Sequence, residues 1–338
     1  MSELSLAVIA KLLVTPGKGI LAADESTTSI GKKLIKAGVQ DSVENHRLYR
    51  ELFFTAPGME DYISGVIMYD ETIRQIADDG TPFPKLLSGL GVIPGIKVDL
   101  GVKELDGSPQ EKITIGLEGL DERLKEYYTL GSRFAKWRAV ITIGEGIPTD
   151  NCIRLNMQTL AKYAKLCQLN QIVPIVEPEV LMDGNHTIQQ CYEVTKKTLA
   201  VLFEELKLAE VDLSGLLLKP NMVIYSLEGD KVSSLAVAEQ TIKCFEEVVP
   251  KEVAGIVFLS GGQSEVEACQ NLNEIVKQGK HAPWRFTYSF GRGLQNSALA
   301  VWAGKAENVE KAQEAFLNRA SLDSAASLGE YDSSLEIA

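Results

Sequence analysis

The chain has 338 residues, of which 45% are hydrophobic and 24% charged, and it carries a net charge of -12. This is the composition of a soluble globular protein of one large or two ordinary domains. Its acidity argues against nucleic acid or an anionic membrane surface as a partner, so an anionic ligand has to be held by a local basic cluster. Five scattered cysteines without C-x-x-C spacing read as reduced thiols in a cytoplasmic compartment. No apolar run approaches the roughly 18 residues of a membrane span.

In chain order, the first segment, MSELSLAVIAKLLVTPGKG, lacks the pattern of a secretory leader and reads as an amphipathic helix capping a domain. Short β-rich runs follow at 19–24, 63–69, 92–97, 134–141, 172–177, 215–219, 255–260 and 285–290. Helical periodicity lies between them, for example over 158–168, 189–205, 236–248, 265–276 and 294–302. Units of about 30 to 45 residues that alternate in this way predict a single α/β domain spanning 1–338, a (β/α)8 or TIM barrel over about 15–310. A doubly wound sheet is the competing architecture, but GILAADESTTSIGKK offers no G-x-G-x-x-G turn after the first strand. DGSPQEKIT at 106–114 and EGIPTDN at 145–151 read as polar insertions, and the small, polar tail from Ser321 to Ala338 as weakly structured.

The sixth run, Leu216-Leu217-Leu218-Lys219-Pro220, ends a buried strand in a lysine. A lone ammonium there costs several kcal/mol or more unless it is paired, solvated or deprotonated. Other strands end similarly: Asp24, Lys97, Glu177, Ser260 and Ser289 close theirs, and Lys136 and Arg138 lie in the fourth. In a barrel such ends converge on one mouth. Ser260-Gly261-Gly262 and Gly291-Arg292-Gly293, each ahead of a helix, suit a phosphate, with bare amides, a favourable helix dipole and a guanidinium fork. Ser26, Ser29, Lys33 and Lys97 are candidates for a second anion. Close lysines depress the pKa of the most buried one, giving a free amine that attacks a ketone, and nearby carboxylates then move protons. The three histidines, His46, His186 and His281, stand at no ligand spacing, so no metal is expected.

GILAADEST, GIKVD, FAKWR, IVPIVEPE, LLKPNMV, FLSGGQSE and SFGRGLQ, in that order from about Thr15 to Glu310, resemble class I fructose-1,6-bisphosphate aldolase. The resemblance implies a metal-independent, cofactor-free homotetramer. It also implies reversible cleavage of fructose 1,6-bisphosphate to dihydroxyacetone phosphate and glyceraldehyde 3-phosphate, both sugar phosphates of glycolysis. By motif, Lys219 resembles the Schiff-base lysine, Glu177 with Glu179 beside it the general acid and base, Asp24 the group acting on the carbon-4 hydroxyl, and Lys136 the balancing cation. Ser260, Gly261, Gly262, Gly291 and Arg292 resemble the cradle of the ketone-side phosphate; Ser26, Ser29 and Lys97 resemble the far pocket, and Arg138 and Ser289 are further substrate-binding candidates. Lys33 stands where the family usually has arginine, STTSI lacks a customary glycine, and the chain ends in LEIA where the family usually ends in tyrosine, leaving Tyr331 as the nearest such side chain. Two other readings are another imine-forming barrel, such as a transaldolase or an aldolase that prefers a monophosphate, and a non-catalytic sugar-phosphate-binding or scaffold relative. The second would require loss of Lys219, Glu177 or Asp24, and all three are present.

Overall fold

The computed structural model describes residues 4–337. The strands are β1 (Gly19–Ala23), β2 (Ile63–Met68), β3 (Ile93–Lys97), β4 (Val102–Leu105), β5 (Ser108–Thr114), β6 (Phe134–Ile141), β7 (Val173–Val180), β8 (Leu217–Leu218), β9 (Gly255–Phe258) and β10 (Phe286–Phe290). The helices are α1 (Leu6–Leu13), α2 (Thr27–Lys36), α3 (Val43–Phe54), α4 (Asp70–Ile73), α5 (Phe83–Gly89), α6 (Leu120–Thr129), α7 (Asp150–Leu169), α8 (Ile188–Leu208), α9 (Ser234–Val248), α10 (Glu265–Gln278), α11 (Arg292–Trp302) and α12 (Val309–Leu328). Eight strands close in the order β1, β2, β3, β6, β7, β8, β9, β10, with β10 back beside β1 and every pairing parallel. This is the expected (β/α)8 barrel, and all eight β-rich runs contribute a strand.

Strand residues alternate between two faces. The inward set Ile20, Ala22, Ile67, Phe134, Val173, Ile175, Leu217 and Val257 fills the lower barrel, and Ile9, Ala10, Leu13 and Val14 of the α1 segment join it. The amphipathic first helix therefore plugs the barrel floor. The outward set, including Trp137, Val176 and Leu218, packs against the surrounding helices. Trp137 stacks at 5.5 Å on Tyr163 of α7. Side-chain caps set the helix starts. Thr149 accepts from the Cys152 amide at 3.1 Å, so α7 begins at Asp150, ahead of the first periodic residue, Gln158. All five cysteines are buried and free.

The polar insertion is present and gains regular structure, whereas the expectation for the tail is corrected. The insertion at 106–114 belongs to a β-hairpin in which β4 and β5 pair antiparallel across Asp106-Gly107. Gly107 has φ +82, and an Asp-Gly pair with a left-handed glycine is a favoured hairpin turn. The tail from Ser321 is not weakly structured, because α12 runs to Leu328 and buries Ala320, Leu322, Asp323 and Ala326. Small side chains allow close approach there, and Ser324 donates to the Gly17 carbonyl at 2.6 Å. Arg319 holds Glu336 at 2.8 and 3.0 Å, fastening the final short helix, Ser333–Ile337.

Inside β3, a methyl group at Gly95 would come within 2.3 Å of the Phe134 ring. Overpacking a filled layer costs about 1–3 kcal/mol. Gly95→Ala is therefore expected to lower the melting temperature by several degrees in a thermal scan, with the far-ultraviolet spectrum at room temperature unchanged.

Candidate active site

Above the apolar layers the same inward positions turn ionisable. In β6, Phe134 is followed on its face by Lys136 and Arg138; in β7, Val173 and Ile175 are followed by Glu177 and Glu179. Beyond β1 the face reaches Asp24, in β3 it reaches Lys97, and past β8 it reaches Lys219, whose amide donates to the Val176 carbonyl at 2.8 Å. These side chains line a mouth cavity of about 840 Å³, together with Ser26, Ser29, Ser260, Gly261, Ser289, Gly291 and Arg292.

Lys219 is 3% exposed, and its Nζ lies 3.5 Å from Glu177 Oε1. Burial, the largest influence, pulls its pKa below the ordinary lysine value; Glu177 opposes this, and the Lys136 charge reinforces it. Lys136 shows the reverse. Burial would lower its pKa, but Asp24 at 2.8 Å and Glu177 at 3.1 Å more than offset that and raise it. Asp24 is held below the carboxylate range because Lys136 and Lys219 outweigh its burial. Glu177 is lowered in the same way against its own desolvation, by Lys136, Lys219 and Arg138. Close lysines are expected to depress the Lys219 pKa; burial leads that depression and Lys136 adds to it, while Lys97 is paired with Asp99 at 2.6 Å.

At the ketone-side end, Gly261 takes φ +56, a left-handed conformation that suits glycine, and presents its turn to the cavity. Helix α11 starts at Arg292 with no side-chain cap, and the Leu294 and Gln295 amides of its start donate to the Gly291 carbonyl at 3.1 Å each. The Ser289 hydroxyl is buried without a partner. Gly262 does not reach the cavity lining and lies under Leu227. At the other end, Ser26 caps α2 and donates to the Ser29 hydroxyl at 3.0 Å. Lys33 turns away from the mouth to Glu25 Oε1 and Gln295 Oε1, both at 2.9 Å, so the second anion pocket lacks one cation expected of it. Tyr331 lies outside the mouth with its hydroxyl on Glu336 at 2.8 Å. Glu179 pairs with the Arg138 Nε.

Sequence reasoning missed Glu25, Tyr69 and Asp99, which also line the cavity. Asp99 stands two residues beyond Lys97 in GIKVD, a period-2 signal that places it near the same mouth. Among the described residues no group of three or more His, Cys, Asp or Glu side chains is arranged to hold a metal.

A buried amine beside a carboxylate, at the mouth of a (β/α)8 barrel with glycine-containing turns after its last two strands, is the arrangement a lysine-dependent barrel enzyme requires. Residues 5–338 match the family model described as fructose-bisphosphate aldolase class-I, and the chain belongs to that family. It is a class I aldolase, an aldehyde-lyase that works through a lysine Schiff base in glycolysis. A cytosolic fructose-bisphosphate aldolase 6 of Arabidopsis thaliana is 52% identical over 94% of this chain and 88% of its own. A probable class 1 fructose-bisphosphate aldolase of Xanthomonas axonopodis pv. citri is 49% identical over 98% of this chain and 99% of its own. The solved fructose-bisphosphate aldolase of Plasmodium falciparum, in complex with TRAP and a small-molecule inhibitor, superposes with a TM-score of 0.95. It is 48% identical over 97% of this chain and 95% of that one.

Glu25 supplies a pH test. Burial would raise its pKa, but Lys33 and Arg50 outweigh that and lower it from 4.5 to about 2. A depressed folded value means that its stabilisation is complete above about pH 4.5 and is lost as pH falls toward about 2. Glu25→Gln is expected to lower the melting temperature at pH 7, with the gap to wild type closing over that interval. A gap independent of pH would contradict the ion-pair assignment.

Proposed function

We propose that Lys219 is the nucleophile for fructose 1,6-bisphosphate, with Glu177, Asp24 and Lys136 as its proton-handling partners. The observation carrying this reading is the depressed Lys219 amine 3.5 Å from a carboxylate, in a cavity lined also by Ser289 and Arg292 and by Ser26, Ser29 and Lys97. The Nζ lone pair adds to the carbon-2 ketone and gives a carbinolamine. Glu177 takes up a proton from solvent and delivers it to the departing hydroxyl, water leaves and an iminium forms. Asp24 takes the carbon-4 hydroxyl proton as the C3–C4 bond breaks, and its electron pair flows into the iminium to leave an enamine. The aldehyde half departs as glyceraldehyde 3-phosphate. Protonation at carbon 3 and hydrolysis, again through Glu177, release dihydroxyacetone phosphate and restore the amine. Lys136 stays charged throughout, keeping Asp24 and Glu177 ionised between steps, and Glu179 anchors Arg138 beside them.

The Gly261 turn, Ser260, Ser289, Gly291 and Arg292 hold the ketone-side phosphate. Ser26, Ser29, Lys97 and Arg138 hold the far one. Family membership supports catalysis without metal or cofactor, and a homotetrameric assembly. Relatives named cytosolic support a cytoplasmic location, and among the described residues no helix is long and apolar enough to cross a membrane.

Borohydride reduction in the presence of dihydroxyacetone phosphate, followed by peptide mass analysis, is expected to label Lys219 alone, with or without EDTA. Label elsewhere, or its loss on chelation, would overturn the reading. Lys219→Ala is expected to cut turnover roughly 10⁴-fold or more while leaving the melting temperature at or above wild type, because it removes a desolvated amine.

A further inference from the structure

The two ends of the mouth are electrostatically unequal. At the ketone-side end Arg292 donates to the Gly261 carbonyl and, among the described residues, pairs with no carboxylate. Its charge is free for an anion. At the far end the cations are already claimed. Lys97 Nζ lies 2.6 Å from Asp99 Oδ1 and 2.8 Å from the Asp99 carbonyl, and it sits 5.8 Å from the Tyr69 ring centroid. Two of the three ammonium N–H groups therefore point at one residue. Lys33 is committed to Glu25 and Gln295, and the Ser26 hydroxyl to that of Ser29.

Asp99 is fixed in place. It is 4% exposed, and its carboxylate accepts from the Gly101 amide at 3.2 Å and the Arg138 amide at 3.3 Å. A phosphate arriving at Lys97 meets an ammonium with one proton to offer and a buried negative charge directly behind it. At such separations, in a partly dry site, like charges interact at the level of kcal/mol, which is enough to move affinity severalfold.

We propose that Asp99 is a specificity-determining residue of this enzyme: by claiming Lys97 it limits how much a second phosphate adds to ketose-phosphate recognition. The inference rests on the proposed reading of Lys219 as nucleophile and Lys97 as a far-pocket cation. It also gives the asymmetry a use. After C3–C4 cleavage the ketone half is held covalently, while the aldehyde half is held chiefly through the far phosphate. A weakened far pocket lets that product leave first.

The test compares kcat/KM for fructose 1,6-bisphosphate with that for fructose 1-phosphate. Because both substrates form an imine at the same carbon and leave the same enamine after cleavage, their ratio cancels any effect of a substitution on the shared chemistry. Asp99→Asn is expected to raise the ratio about tenfold, through a lower KM for the bisphosphate. An unchanged or smaller ratio overturns the proposal. Lys97→Met gives a second measurement that does not require the Asp99 variant to fold. It uncovers the carboxylate and is expected to take the ratio below one, so that the second phosphate becomes a handicap; a ratio remaining above one overturns the proposal. Borohydride labelling of the same proteins separates the levels of inference. Label on Lys219 with unmoved ratios removes the role of Asp99 alone, whereas absence of label in the wild type removes the reading beneath it.

Discussion

The chemistry of the mouth depends on how one proton is divided between two lysines. Lys136 and Lys219 are both almost fully buried and both face Glu177. Lys136 touches two carboxylates, at 2.8 and 3.1 Å, whereas Lys219 has one at 3.5 Å. Burial penalises both ammonium forms, so the better-paired amine keeps its charge and the other is pushed toward the free base. The retained charge on Lys136 then makes protonation of Lys219 harder still. One side chain thus acts as counter-ion to Asp24 and Glu177 and as electrostatic activator of the nucleophile.

Such a cluster adds little to stability by itself, since desolvating several charges consumes much of what their pairing returns. Its cost has to be met by apolar burial elsewhere, and the strands show where. On each inward face the lower residues are apolar, such as Val173 and Ile175 or Phe134, and the same alternation carries on into Glu177 and Glu179 or Lys136 and Arg138. The apolar half, closed from below by Ile9, Ala10, Leu13 and Val14, provides a rigid floor against which buried charges keep their separations. A terminal lysine on a leucine run is what results when a strand crosses from the packed half of a barrel to its mouth.

That crossing explains what could be read from sequence. Strands covered on both faces are continuous apolar runs, so all eight stood out, and their ionisable ends marked one rim even before the family resemblance supplied roles. Pairings between distant segments were not legible. Lys33 and Gln295 are 262 positions apart, and nothing local to STTSIGKK says that its lysine turns inward to bond Glu25 and Gln295. Asp99 lay within the quoted GIKVD, yet its hold on Lys97 needed three dimensions. The helix beyond Ser321 was hidden for a different reason: its buried side chains are small, and small residues give weak hydrophobic periodicity while allowing close packing. The hairpin at Asp106-Gly107 was readable from its turn chemistry, which was outweighed by the polarity of the segment.

Closure of the barrel is also what assembles the site. The first and last strands meet over a short register, Ile20 with Ser289 and Leu21 with Phe290. Just above it, Gln295 of α11 donates to the Ala22 carbonyl at 2.7 Å and accepts from Lys33 and the Tyr49 hydroxyl at 2.9 Å each. Gly291 lies so close that a side chain there would come within 3.2 Å of the same carbonyl. This seam brings Asp24, just past β1, and Arg292, at the start of α11, to the same cavity, although 268 positions (292 − 24) separate them in sequence. The carboxylate proposed to act on the carbon-4 hydroxyl and the arginine proposed to hold the ketone-side phosphate are therefore brought to one cavity by the contact that completes the cylinder. Loosening that seam would shift Asp24, and with it the shorter of the two carboxylate contacts that hold the charge on Lys136, even though β6 and β8 keep their register on β7.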